Sequence, residues 1–117
     1  MEKTELEKRT KTFALQVIRY VAGLPKCKEG DVIGYQLLRS ATSIGANYRE
    51  ANRAESRADF IHKIALVEKE AAETQYWLEL CCETQSLKCD RLDELQRETS
   101  ELLAIFTRIG KTSKGRR

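Results

Sequence analysis

Residues 36–51 read Gln36-Leu-Leu-Arg-Ser-Ala-Thr-Ser-Ile-Gly-Ala-Asn-Tyr-Arg-Glu-Ala51, and their spacing decides the fold. Leu37, Ala41, Ile44, Tyr48 and Ala51 follow one another at intervals of 4, 3, 4 and 3 residues. At about 100° per residue these five share one face of a helix, as a bundle core requires. Gln36, Ser40, Ser43, Asn47 and Glu50 repeat the pattern directly beside that face, with Arg39 adjoining. A polar seam at the edge of a core needs partners, because a buried polar group left unpaired costs about 1–3 kcal/mol. Those partners have to come from a neighbouring helix.

The rest of the chain is built to supply one. Its 117 residues amount to about one domain and suffice to bury a core without disulfides or metal. One proline, six glycines and a charged content of 33% favour long helices over a sheet, so the expected class is all-α. The first helix is expected over about Thr4–Leu24, with Leu6, Phe13, Val17, Tyr20, Val21 and Leu24 as its stripe. Pro25 ends it, because the residue before proline is driven out of the helical region. Lys26–Gly30 reads as a loop and Asp31 as the cap of a second helix over about Val32–Ala54. Gly34 and Gly45 inside that helix suggest close approach of another helix.

Ser56-Arg-Ala-Asp59 has the form of a capping box, so a third helix is expected from Arg57 to about Ser86. Its face holds Phe60, Ile64, Val67, Ala71, Thr74, Leu78, Cys82 and Gln85, beside a seam of Lys63, Leu66, Glu70, Glu73 and Trp77. A fourth helix follows Asp90 on Leu92, Leu95, Thr99, Leu102, Phe106 and Ile109 and is expected to stop at Gly110. Short loops between four helices predict an antiparallel up-down-up-down four-helix bundle over 1–110, followed by a basic, disordered tail over 111–117. If helices two and three form a hairpin turning near residues 55 and 56, Arg39 falls between Glu70 and Glu73, and Glu50 falls near Lys63. Gln36, Arg39, Ser40, Ser43, Asn47, Glu50, Glu70 and Glu73 are therefore read as one structural polar seam.

Charge and chemistry narrow the function. The net charge is +3, yet four basic and no acidic residues lie in 111–117, which leaves the remainder one charge on the acidic side. Lys111, Lys114, Arg116 and Arg117 are candidate nucleic-acid contacts, although such tails are more often solvated ends. Arg49, Arg53 and Arg57, four residues apart, would make a second basic ridge if the helix ran through the turn. The preferred alternative for them is a solvated face with local ion pairs to Glu50 and Glu55. Cys27, Cys81, Cys82 and Cys89 lack metal-ligand spacing and read as free thiols of a reducing compartment, with Cys82 on the core-facing stripe. Paired Glu70 and Glu73 resemble half of a di-iron site, but that chemistry needs Glu-x-x-His motifs from two helices plus two further glutamates, and the only imidazole, His62, lies about eight residues from Glu70. No catalytic residue, metal site or cofactor is expected, and the chain reads as non-enzymatic. It has no apolar run of membrane-spanning length and no signal-like start, so a cytoplasmic protein without membrane contact is expected.

The Gln36–Glu50 helix, Ser56-Arg-Ala-Asp-Phe-Ile61 and Lys69-Glu-Ala-Ala-Glu-Thr-Gln-Tyr-Trp-Leu78 resemble the bacterial four helix bundle protein family. Its members are encoded by intervening sequences within large-subunit ribosomal RNA genes. The matching positions include Gln36, Arg39, Ser40, Ser43, Ile44, Asn47, Glu50, Ser56, Phe60, Lys69, Glu70, Glu73, Trp77 and Leu78, and the likeness spans nearly the whole chain. The resemblance implies a homo-oligomer, in similar proteins a pentameric ring. It extends to the accessory variability determinant of diversity-generating retroelements, which binds a reverse transcriptase and nucleic acid. The implied function is a homo-oligomeric accessory or scaffold protein for RNA, DNA or a ribonucleoprotein partner such as a reverse transcriptase. The alternative is a protein-protein interaction module without nucleic-acid binding.

Overall fold

The computed structural model describes residues 1–115 and is a rod of 50 × 21 × 19 Å. Four helices run in sequence: α1 (Lys3–Ala22), α2 (Lys28–Ala51), α3 (Arg57–Glu83) and α4 (Arg91–Gly115), with a 3₁₀ turn, Gln85–Leu87, before the last. α2 packs on α1 and α3, and α4 packs on α3 and α1, which is the antiparallel four-helix bundle the spacing predicts. The described residues contain no strand.

Each helix buries one stripe. Leu6, Phe13, Val17 and Tyr20 of α1 meet Leu37, Ala41, Ile44, Tyr48 and Ala51 of α2, Ile64, Val67, Ala71, Leu78 and Cys81 of α3, and Leu92, Leu95, Leu102 and Phe106 of α4. Thr10, Ser40, Thr74 and Thr99 are fully buried among them. Their hydroxyls make this tolerable, since those of the three threonines bond carbonyls one turn back: Thr10 to Leu6 at 3.0 Å, Thr74 to Glu70 at 2.8 Å and Thr99 to Leu95 at 2.7 Å.

Several predicted boundaries move. α2 begins at Lys28 rather than after Asp31, so the expected loop at Lys26–Gly30 is shorter and Cys27, not Asp31, is its N-cap. Gly30 is no breaker: it is buried in the first turn, where a Cβ would lie 3.0 Å from the Pro25 carbonyl oxygen. α2 ends at Ala51, three residues early, and Asn52–Ala54 form a turn. Ser56 caps α3 as predicted, accepting from the Asp59 backbone N–H at 3.0 Å. The return arm differs, with the Asp59 carboxylate accepting from the Glu55 N–H at 3.4 Å.

The end of α3 required a larger correction. The helix stops at Glu83, and the turn that follows swings Leu87 into the core, where its carbonyl accepts the Tyr20 hydroxyl at 2.6 Å. Cys81 is fully buried and Cys82 only half-buried, because the stripe Ile64, Val67, Ala71, Thr74, Leu78 continues on its 3,4 alternation to position 81. α4 likewise does not stop at Gly110. No described glycine has positive φ, and Gly110 lies on the buried stripe, where a Cβ would fall 2.5 Å from Glu68 Oε2. The end of the flexible Glu68 side chain lies over it, and the helix runs on to Gly115.

Candidate functional site: the polar seam between α2 and α3

Of the predicted seam residues of α2, Arg39, Ser40 and Glu50 meet α3 side chains. Arg39 sits between the two carboxylates: its Nη2 bonds Glu73 Oε2, its Nη1 lies 3.7 Å from Glu70 Oε1, and its Nε donates to Gln36 Oε1 at 3.3 Å. Glu70 Oε1 is buried without a hydrogen bond, so this guanidinium is its compensating charge. Glu73 also accepts from the Trp77 indole N–H at 3.0 Å, which ties the tryptophan to the same cluster.

The inner edge of the seam is neutral and dry. Thr74 Oγ1 and Ser40 Oγ are 2.9 Å apart, and Ser40 Oγ is 3.2 Å from the Leu37 carbonyl. Ser43 and Asn47 do not cross to α3. Their side chains donate to carbonyls of their own helix, Ser43 to Arg39 at 2.7 Å and Asn47 to Ser43 at 3.0 Å. At the far end Lys63 Nζ donates to Glu50 Oε1 at 2.9 Å, and that bond raises the lysine pKa. The seam thus holds its charges in pairs.

The basic residues are arranged differently from the predicted ridge. Because α2 ends at Ala51, Arg49, Arg53 and Arg57 do not continue along one helix. Arg49 leans toward α1, with Nε 3.9 Å from Glu7 Oε1. Arg53 is exposed in the turn. Arg57 donates from Nε to the Ser113 carbonyl at 3.0 Å, and from Nη2 to the same oxygen. That bond brings the α3 start against the last turn of α4, so Lys111 and Lys114 lie at the same end of the rod as Arg53 and Arg57. Arg116 and Arg117 lie outside the described residues.

Other features carried no local signal. Arg9 crosses from α1 to α4, donating to Glu98 twice at 2.7 Å and to Glu101 at 2.8 Å, which holds its pKa above the ordinary arginine value. These partners are 89 and 92 positions apart, beyond any periodicity. Beside them runs an open α1/α4 groove of about 430 Å³, lined by Thr12, Phe13, Gln16 and Arg97 among others. Burial raises the pKa of the Cys81 and Cys82 thiols, and that lowers their nucleophilicity. Among the described residues no three His, Cys, Asp or Glu side chains are grouped to hold a metal ion, and no helix is long and apolar enough to cross a membrane.

Fold and site together define an all-α antiparallel four-helix bundle whose α2/α3 seam pairs Arg39 with Glu70 and Glu73, and Lys63 with Glu50. The chain belongs to the 23S rRNA-intervening sequence protein family, whose model matches residues 2–108. Among solved structures it is similar to a protein of unknown function from the S23 ribosomal protein family of Bacteroides thetaiotaomicron VPI-5482. The two are 36% identical over 95% of this chain and 99% of that one, with a TM-score of 0.86. No curated protein matches the chain.

Proposed function

We propose that this protein is a non-enzymatic, self-associating helical scaffold that serves a nucleic acid or a ribonucleoprotein partner such as a reverse transcriptase. One observation carries the nucleic-acid part: the two basic sets of the sequence, Arg53 with Arg57 and Lys111 with Lys114, converge on one end of the rod. Cations gathered at one end of a body near charge balance suit a phosphate backbone, which binds through the number of phosphates neutralised. The seam supports a structural reading, since its charged groups are already paired within the chain.

Fluorescence anisotropy with labelled RNA and DNA over a salt series tests this reading. The expected result is binding that weakens steeply with salt, and a shallower slope after Arg53→Ala with Lys111→Ala. Point substitutions are the right tool, because deleting 111–117 would remove the helical turn that holds Arg57. No binding at low salt would favour the second reading, a protein-interaction module. Exposed Leu15, Ile18, Val32, Tyr35 and Tyr76 speak for that alternative.

A further inference from the structure

Among the described residues, besides Met1, five large apolar side chains stand exposed, and they fall into two sets. Leu15 and Ile18 lie on α1 away from its buried stripe, at 41% and 42% exposure. Val32, Tyr35 and Tyr76, at 57%, 64% and 52%, form the other set on α2 and α3. Tyr35 sits one turn before Arg39 and Tyr76 one turn beyond Glu73. Because the helices are antiparallel and Arg39 holds Glu73, both tyrosines lie to the same side of that pair. The Trp77 ring meets Tyr76 edge-on at 5.0 Å and extends the surface. α1 and α3 each pack on α2 and α4, so they occupy diagonal corners, and the two sets face different directions.

Charge distinguishes the sets further. Residues 8–22 of α1 include Lys8, Arg9, Lys11 and Arg19 and no acidic residue, whereas residues 70–83 of α3 include Glu70, Glu73, Glu79 and Glu83 and no basic one; Lys28 stands on the second set's side, one turn before Val32 on α2. Arg9 is bound by α4, and Glu70 and Glu73 by Arg39. Lys11 and Arg19 remain exposed one turn either side of Leu15, and Glu79 and Glu83 remain exposed one and two turns beyond Tyr76.

We propose that the α1 face around Leu15 and Ile18 of one copy docks on the α2/α3 face around Val32, Tyr35 and Tyr76 of the next copy. The apolar groups form the dry centre of the contact, and the opposite charges flank it and set its orientation. A nucleic acid would answer the cations of α1 but not the leucine and isoleucine beside them, and the acidic half of α3 would repel it. A second copy of this chain answers both. Since each face meets a different face, the contact is heterologous, and repetition closes a ring or extends a filament. This inference rests on the self-association proposed above and adds which surfaces mate.

The full chain tests it by size-exclusion chromatography with light scattering, using Leu15→Lys/Ile18→Lys and Val32→Lys/Tyr76→Lys. These sites are exposed, and helical circular dichroism confirms that each variant folds. The wild type is expected to be oligomeric and each variant alone monomeric. An equimolar mixture is expected to give a dimer with one copy of each, because the intact α1 face of the second variant still meets the intact α2/α3 face of the first. A monomeric wild type overturns the self-association reading itself. If the wild type is oligomeric, the inference about faces is overturned by a variant that keeps the wild-type size, by a variant that forms its own dimer, or by a mixture that stays monomeric.

Discussion

At the α2/α3 seam one guanidinium answers two carboxylates, and removing it exposes what the arrangement is for. Arg39→Ala would leave Glu70 and Glu73, both half-buried, side by side without a counter-charge. The expected loss is about 1–3 kcal/mol in urea unfolding, with Arg39→Lys in between, because a lysine reaches one carboxylate as a point charge and cannot span two. Tyr20 gives a second test at this scale. Burial, and after it the neighbouring Cys81 side chain, raise its pKa, so the folded state holds the phenol proton more tightly than the unfolded chain does. The resulting stability is fully present below about pH 10, the ordinary tyrosine value, and is lost as pH rises beyond it. Unfolding measured at pH 8 and pH 11 should show that loss, and Tyr20→Phe should show less of it.

The helices themselves turn on how closely they approach. A Cβ at Gly45 would lie 3.1 Å from Thr10 Oγ1 and 3.3 Å from Thr10 Cβ, and Thr10 is fully buried with its hydroxyl bound to α1 carbonyls. Gly45→Ala is therefore expected to lower stability by about 1–2 kcal/mol, despite alanine's better helix propensity, because α1 must move to admit the methyl. At Gly110 the crowding atom is the free end of the Glu68 side chain, which can swing aside. Gly110→Ala is expected to be neutral or to stabilise by up to about 1 kcal/mol, as measured by thermal melting of both variants. The sequence marked both glycines without separating these roles. Gly110 sits where a helix stop is common, and only the Glu68 and Ile64 side chains of α3 reveal that it lies on a buried helix contact instead.

For the molecule as a whole, the separation of charge along the chain bears on assembly. In the proposed assembly an acid-free stretch in α1 would attract a base-free stretch in α3 of the next copy, and exposed charges of this kind are screened within about 10 Å at 0.1 M salt. Assembly is therefore expected to weaken as salt rises from 50 mM to 500 mM, by about tenfold or less, since an apolar centre is insensitive to screening. Sedimentation velocity across that series measures it. Lys11→Glu with Arg19→Glu should shift the equilibrium toward monomer and flatten its salt dependence.

Periodicity by itself determined the four helices, the main run of each buried stripe and the placing of Arg39 among Glu70 and Glu73, because a 3.6-residue repeat and a short turn constrain which side chains of neighbouring helices can meet; Gln85, expected on the α3 stripe, is exposed beyond its end. The tertiary structure alone decided where α2 starts, that α4 passes Gly110, that Cys81 rather than Cys82 is buried, and that Arg9 clasps Glu98 and Glu101. It also broke the arginine ridge and set Arg57 against Ser113. The physical reason is the same in each case. Helical spacing carries information over a few turns, whereas a close approach or an ion pair between the two ends of a chain depends on distances that exist only once the bundle has closed.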